Sequence, residues 1–120
     1  MEDQVRKECL FCRIADKDIP SQLLWEDDDI VAFKDINPVA PVHVLIIPRK
    51  HIACLNDMNE EDINLLGKMN YVAAQLAVKM GVAESGWRLV CNCGRDSGQE
   101  VLHLHYHLIG GKPLGPITEK

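Results

Sequence analysis

No apolar run in this sequence is long enough to cross a bilayer, so a helical membrane protein is excluded. A secretion signal is not expected either, because the start, Met1 to Glu8, is charged and polar. The net charge is −5 and the basic residues are scattered, which leaves no basic surface for a nucleic acid backbone or an anionic membrane. There is no P-loop pattern, no internal repeat and no low-complexity segment. The cysteines number five, an odd count, and without a secretion signal they point to thiols or metal ligands, not a disulfide framework. What remains is an expected cytoplasmic protein of ordinary globular composition, 47% hydrophobic and 26% charged. Its 120 residues suit one domain, 1–120, and leave no room for two.

Against these absences, one stretch is unusually rich. Three of the five histidines fall at His103, His105 and His107, with Leu104, Tyr106 and Leu108 between or after them. Alternation with period two predicts a β-strand that puts the imidazoles on one face and the apolar side chains in the core. Three imidazoles on a face can bind a metal, or act as nucleophile and acid or base, because imidazole titrates near neutral pH. The plain alternative is a half-buried strand with polar residues outward, but nothing in the charge pattern calls for three histidines there. The stretch reads as a site.

The rest of the chain frames it. After a polar segment, 1–8, comes Cys9-Leu10-Phe11-Cys12, whose two spacer residues let both sulfurs reach one ion. A redox C-x-x-C is the competing reading, but it expects a preceding strand and a helix opening at the first cysteine. Two incidental core cysteines are the third. A turn at Asp18 to Ser21 leads into a hairpin, Leu23 to Glu26 and Ile30 to Phe33, joined at Asp27 to Asp29. A proline-bounded loop, Asp35 to Pro41, precedes the most apolar strand, Val42 to Pro48, with His43 inside it and His51 just beyond.

Asn59 caps one long helix, with Ile63, Leu66, Met69, Ala73, Leu76 and Met80 at helical spacing and Gly81 as the stop. A second apolar stripe, Leu65, Met69, Val72 and Leu76, lies beside the first. So broad an apolar surface suggests either a contact with another subunit or a wide core contact. Trp87 to Cys93 is a further strand, Gly94 to Gly98 a flexible loop, and 110–120 a Gly/Pro tail. This order predicts an α+β domain around a mostly antiparallel sheet of about five strands.

The residues now quoted resemble the histidine triad family. His103-Leu104-His105-Tyr106-His107-Leu108-Ile109 fits its His-φ-His-φ-His-φ-φ pattern, φ being apolar, without a departure. Asp18-Ile19-Pro20, Ala32 to Pro38, Ala40 to His43, Ile47 to His51, Gly98 to Val101 and Gly110 to Pro116 look like the HINT branch of that family, so the likeness spans nearly the whole chain. The resemblance implies a HIT-like fold with one long helix and a short N-terminal helix. It implies a homodimeric hydrolase cleaving nucleoside 5′-monophosphate conjugates, such as adenosine phosphoramidates, with AMP or GMP as the nucleotide part.

Carried over residue by residue, His105 is the nucleophile of a nucleotidyl-histidine intermediate, and His107 and His43 line the phosphate or assist its proton chemistry. Gln99 lies near the leaving group and Asn92 near the phosphate. Asp35 holds the ribose hydroxyls, with Phe33 and Ile36 along the nucleoside. Backbone N–H groups from Gly98 through Gln99, Glu100 and Val101 balance phosphate charge, since there is no P-loop to do so.

The resemblance also extends to relatives that pair an early C-x-x-C with two histidines. It implies a structural Zn²⁺ on Cys9, Cys12, His51 and His103, closed and so not required for catalysis. Cys54, Cys91 and Cys93 are then expected to be buried thiols. Two departures bear on substrate choice. Glu100 stands where some relatives have Ser, and the tail has no tryptophan after Gly111. Two other readings compete: a nucleotide-binding regulatory or scaffold protein with incidental hydrolysis, and a zinc hydrolase using His103, His105 and His107 as ligands.

Overall fold

The expected hairpin forms around Asp27. Its carboxylate accepts the backbone N–H groups of Asp29 and Ile30, both at 2.8 Å, and the Trp25 indole N–H at 2.7 Å. In this computed structural model, which describes residues 2–118, that turn sets β1 (Leu23–Glu26) antiparallel to β2 (Ile30–Lys34). β3 (Val42–Pro48) pairs with β2, then β5 (Tyr106–Gly110) with β3, and β4 (Trp87–Val90) forms the far edge. The strand order is β1-β2-β3-β5-β4, antiparallel throughout.

Both faces of this sheet are covered, which explains why β3 is apolar without a break from Val44 to Pro48. Ile30, Ala32, Val42, Val44, Ile46, Tyr106 and Leu108 point to one side. There they pack on α3 (Ile63–Lys79) through Leu66, Met69, Val72, Ala73, Leu76 and Ala77. Val31, Phe33, Leu45 and Ile47 point to the other side, against Phe11, Ile14 and Ala15 of α2 (Leu10–Ala15). A further helix, α1 (Glu2–Glu8), precedes α2, so the short N-terminal helix is really two. Arg6 ties α1 down with bonds to the Asp16 carboxylate, at 2.7 and 3.1 Å, and to the Arg49 carbonyl at 2.8 Å.

Several boundaries differ from the sequence expectation. Alternation predicts a strand through all three histidines, yet β5 begins at Tyr106, opposite Ile46. Extending the ladder would bring Leu104 opposite Pro48, which has no N–H to give. The Leu104 N–H bonds instead to the Ile52 carbonyl at 2.6 Å. Alternation of sides survives without the strand, because Leu104 is buried in the α3-side core while His103 and His105 lie toward α2. β4 likewise stops at Val90, short of Cys93.

The long helix starts later than Asn59. A 3₁₀ turn, Glu60–Asp62, comes first, with the Asp62 carboxylate accepting the Asn59 N–H at 2.9 Å. Ile63, expected in the buried stripe, is 59% exposed, and so are Tyr71 and Val78 to a similar degree.

Candidate active site and metal centre

A carbonyl oxygen only accepts, so any imidazole nitrogen bonded to one must carry the proton. His105 Nδ1 lies 2.6 Å from the His103 carbonyl, which leaves His105 Nε2 as the bare nitrogen. His103 Nε2 lies 2.8 Å from the Pro48 carbonyl, and its Nδ1 is therefore the bare one. On β3, His43 Nδ1 accepts the Val39 N–H at 3.2 Å, so the proton sits on Nε2. That proton faces His107 Nδ1 at 2.9 Å, with an Asp35 oxygen at 3.4 Å. His107 Nδ1 is thus an acceptor and its Nε2 carries the proton. The β3–β5 register brings the pair together, placing Leu45 opposite His107 and His43 opposite Ile109.

Burial favours the neutral form of His103, His105 and His107. It holds His105 below the ordinary imidazole range, opposed by its bond to the His103 carbonyl. His107 is lowered to about 4, by burial first and then by the neighbouring His105 and His43. At neutral pH the arrangement offers an unprotonated nitrogen on His105 beside a neutral N–H donor on His107.

Both rings open on a cleft of about 590 Å³. One wall is apolar: Phe11, Ile14, Ile19, Phe33 and Leu45. Asp35, Ile36 and Asn92 also line it, as do Gly98, Glu100 and Val101 from the loop before the histidines. The Asp35 carboxylate is held in place by the Asn37 N–H at 2.8 Å.

The bare His103 nitrogen looks the other way. It lies 3.3 Å from Cys9 Sγ and 3.4 Å from Cys12 Sγ, and Cys12 Sγ lies 3.3 Å from His51 Nδ1. A tetrahedral Zn²⁺ with bonds of about 2.3 Å to sulfur and about 2.0 Å to nitrogen separates S and N by about 3.5 Å. All four donor atoms lie within 4.8 Å of one another, so the set fits such an ion. Pro48 supplies the outer bond that orients the His103 ring. Without a cation, burial and the adjacent Cys9 push the Cys12 thiol up to about 12. Asp35, His43 and His107 also cluster, but the Val39 N–H keeps the proton on the His43 nitrogen a metal would need. His103, His105 and His107 do not converge on one point, since a different neighbour engages each. That geometry removes the three-histidine zinc hydrolase.

The profile described as "Scavenger mRNA decapping enzyme C-term binding" matches residues 8–118. The chain is 48% identical over 111 residues to the purine nucleoside phosphoramidase of Escherichia coli (strain K12), covering 92% of this chain and 93% of that one. The chain belongs to the histidine triad family. A HIT family hydrolase from Legionella pneumophila Philadelphia 1 superposes with a TM-score of 0.88 at 49% identity, covering 90% of this chain and 96% of that one. A histidine triad protein from Clostridium difficile gives 0.89 at 42% identity, covering 92% and 96%. The chain is a hydrolase of this family.

Most of the residues singled out in this histidine triad protein meet at the cleft, but Gln99 does not line it. Its Nε2 donates to the Ala53 and Val101 carbonyls at 2.8 and 3.0 Å, and its Oε1 accepts the Gly94 N–H at 2.9 Å. Gln99 pins the loop. Sequence reasoning missed Phe11 and Ile14. Phe11 lies between the two cysteines, and its ring meets His105 edge-on with centroids 5.0 Å apart. Its spacing from Ile14 was the available signal, a three-residue step on a helix too short to show periodicity. The helix does open at Cys9, which caps α2 by accepting the Cys12 N–H at 3.4 Å. Here the competing redox reading had half its requirement, although a helix and not a strand precedes. Cys54, Cys91 and Cys93 are not buried as expected; all three are partly exposed.

Proposed function

We propose that the chain hydrolyses a purine nucleoside 5′-monophosphate joined to an amine through a P–N bond, by way of a nucleotidyl-His105 intermediate. The observation that carries this reading is the 2.6 Å bond from His105 Nδ1 to the His103 carbonyl, which leaves Nε2 with its lone pair beside the cleft. A neutral imidazole nitrogen is a competent nucleophile at phosphorus, and covalent capture splits one difficult displacement into two easier ones. The P–N bond to the amine breaks as the P–Nε2 bond forms. The amine leaves with a proton passed through the His107 N–H, which water restores. The hydroxide left by that water then attacks phosphorus as the P–Nε2 bond breaks, releasing the nucleoside monophosphate and returning neutral His105.

The other residues take supporting roles. Asp35, held by Asn37, accepts the ribose hydroxyl protons, and Phe33 and Ile36 lie along the nucleoside. Asn92 and the Glu100–Val101 end of the loop face the phosphate, whereas the Gly98 and Gln99 N–H groups expected there donate to the Arg95 and Gly94 carbonyls at 3.0 and 3.4 Å, and Gln99 acts by fixing that loop. Similarity to the Escherichia coli purine nucleoside phosphoramidase supports AMP or GMP as the nucleotide part.

Cys9, Cys12, His51 and His103 would hold a Zn²⁺ that supplies structure only, since the four donors close its coordination. The single domain, 1–120, works as a cytoplasmic homodimer. Ile63, Tyr71 and Val78, spaced by eight and seven residues, form one exposed stripe of α3 that a second copy would cover. The test of the reading is a His105→Asn variant assayed for amine release from an adenosine phosphoramidate. Loss of turnover with AMP binding retained supports the covalent route. Retained turnover would move the chain to the regulatory or scaffold class with incidental hydrolysis elsewhere.

A further inference from the structure

Glu100 puts a carboxylate on the wall of a cleft whose expected substrate is already an anion. It lines the cleft together with His105 and His107, and none of the ion pairs among the described residues includes it. The lining holds one other carboxylate, Asp35, and its only lysine or arginine is Lys34. With Asp35 taken by the ribose hydroxyls, Glu100 is left facing the phosphate side. A carboxylate there weakens the binding of a nucleoside monophosphate conjugate unless the substrate brings a positive charge of its own.

A second groove, of about 490 Å³, shares a wall with the cleft, since Leu10, Glu100 and Val101 line both. It lies between α1, which gives Val5 and Glu8, and the segment that gives Leu102. Val5, Leu10 and Leu102 are 43%, 46% and 67% exposed, so its surface is largely bare hydrocarbon. No lysine or arginine lines it, and apart from Cys9 and His51 of the metal cluster its ionisable groups are Glu8 and Glu100. Glu8 accepts the Gln4 side-chain N–H at 2.7 Å, a neutral partner that leaves its charge uncompensated. Hydrocarbon flanked by two carboxylates suits a methylene chain that ends in an ammonium, and it opposes a chain that ends in a carboxylate.

We propose that Glu100, helped by Glu8, selects the leaving group, and that the amine released is an aliphatic diamine. The first nitrogen is joined to phosphorus in the cleft. The methylene chain follows Leu10, Val101 and Leu102 into the groove, where the second nitrogen, an ammonium at neutral pH, meets the two carboxylates. This rests on the hydrolytic reading above and names the amine that it leaves open.

The experiment compares AMP conjugates of butylamine, of diaminobutane and of lysine on the full chain, purified with zinc present. Butylamine and diaminobutane have the same carbon chain and differ in the second nitrogen alone. Because the carboxylates are exposed, the expected preference in kcat/KM for the diaminobutane conjugate over the butylamine conjugate is about fivefold. It should shrink toward unity in about 0.5 M salt. The lysine conjugate, with a carboxylate beside its second ammonium, should fall below the diaminobutane one. Glu100→Gln should bring the ratio to within about twofold of unity, and Glu8→Gln part of the way. Taking the ratio within each variant cancels any general loss of folding or phosphate binding. A preference unchanged in Glu100→Gln would overturn the proposal, as would a loss equal for both conjugates, which would place Glu100 on the phosphate or the departing nitrogen. Affinities of the same conjugates for His105→Asn, measured by calorimetry, separate this from the hydrolytic reading. The diaminobutane conjugate should bind more tightly there even if His105 forms no intermediate, and equal binding would overturn the selection by Glu100 while leaving the hydrolysis standing.

Discussion

His105 keeps its Nδ1 proton on the His103 carbonyl, His103 keeps its Nε2 proton on the Pro48 carbonyl, and His107 takes the His43 proton on Nδ1. One residue type thus does three jobs, set by which nitrogen a neighbour has engaged. Asparagine at 105 can donate the same hydrogen bond to the His103 carbonyl but has no nucleophilic nitrogen, its amide lone pair being delocalised. We therefore expect His105→Asn to lower turnover by at least about 10³-fold while AMP affinity, measured by calorimetry, changes by less than about threefold. The motif spacing alone singles out these histidines. It could not reveal the tautomers, because the deciding partners, Pro48 and Val39, offer only backbone atoms whose position no residue identity encodes. The anchoring of Gln99 is hidden from the sequence for the same reason, its partners being the backbone of Ala53, Val101 and Gly94.

At the scale of elements, the hairpin rests on Asp27. Burial alone would raise its pKa, but the Trp25, Asp29 and Ile30 hydrogen bonds and Lys68 outweigh it and bring the value from 3.8 to about 2. A carboxylate depressed in the folded state stabilises above its unfolded pKa, and that stability is lost as the pH falls through the folded value. Asp27→Asn should therefore cost about 2 kcal/mol at pH 7 in urea unfolding, with the difference from wild type shrinking between pH 4 and pH 2. The tail turn makes a second test. Gly111 has φ +95°, and a Cβ there would meet the Pro41 Cβ at 3.0 Å. Gly111→Ala should lower the urea midpoint, by about 1 to 3 kcal/mol in stability, with β5 retained. These elements were largely legible. The short apolar run Ile30 to Phe33 and the largely apolar β3 mark their strands with nearly the right ends. The start of β5 was not, because alternation of sides continues upstream although the partner strand ends at a proline.

For the molecule as a whole, the Cys9, Cys12, His51 and His103 cluster brings together α2, the turn after β3 and the segment entering β5, and the proposed Zn²⁺ would tie them. Chelation is expected to lower the melting temperature by about 5 to 10 °C, followed by calorimetry, while turnover at room temperature stays within about twofold. Loss of activity with the melting temperature unchanged would contradict a structural role. The most direct test of the central claim is intact-protein mass spectrometry after rapid quench with an adenosine phosphoramidate, on wild type and His105→Ala. The account predicts an acid-labile added mass of one nucleotidyl group on the wild type only. No adduct under single-turnover conditions, with the nucleotide still bound, would contradict covalent catalysis by His105.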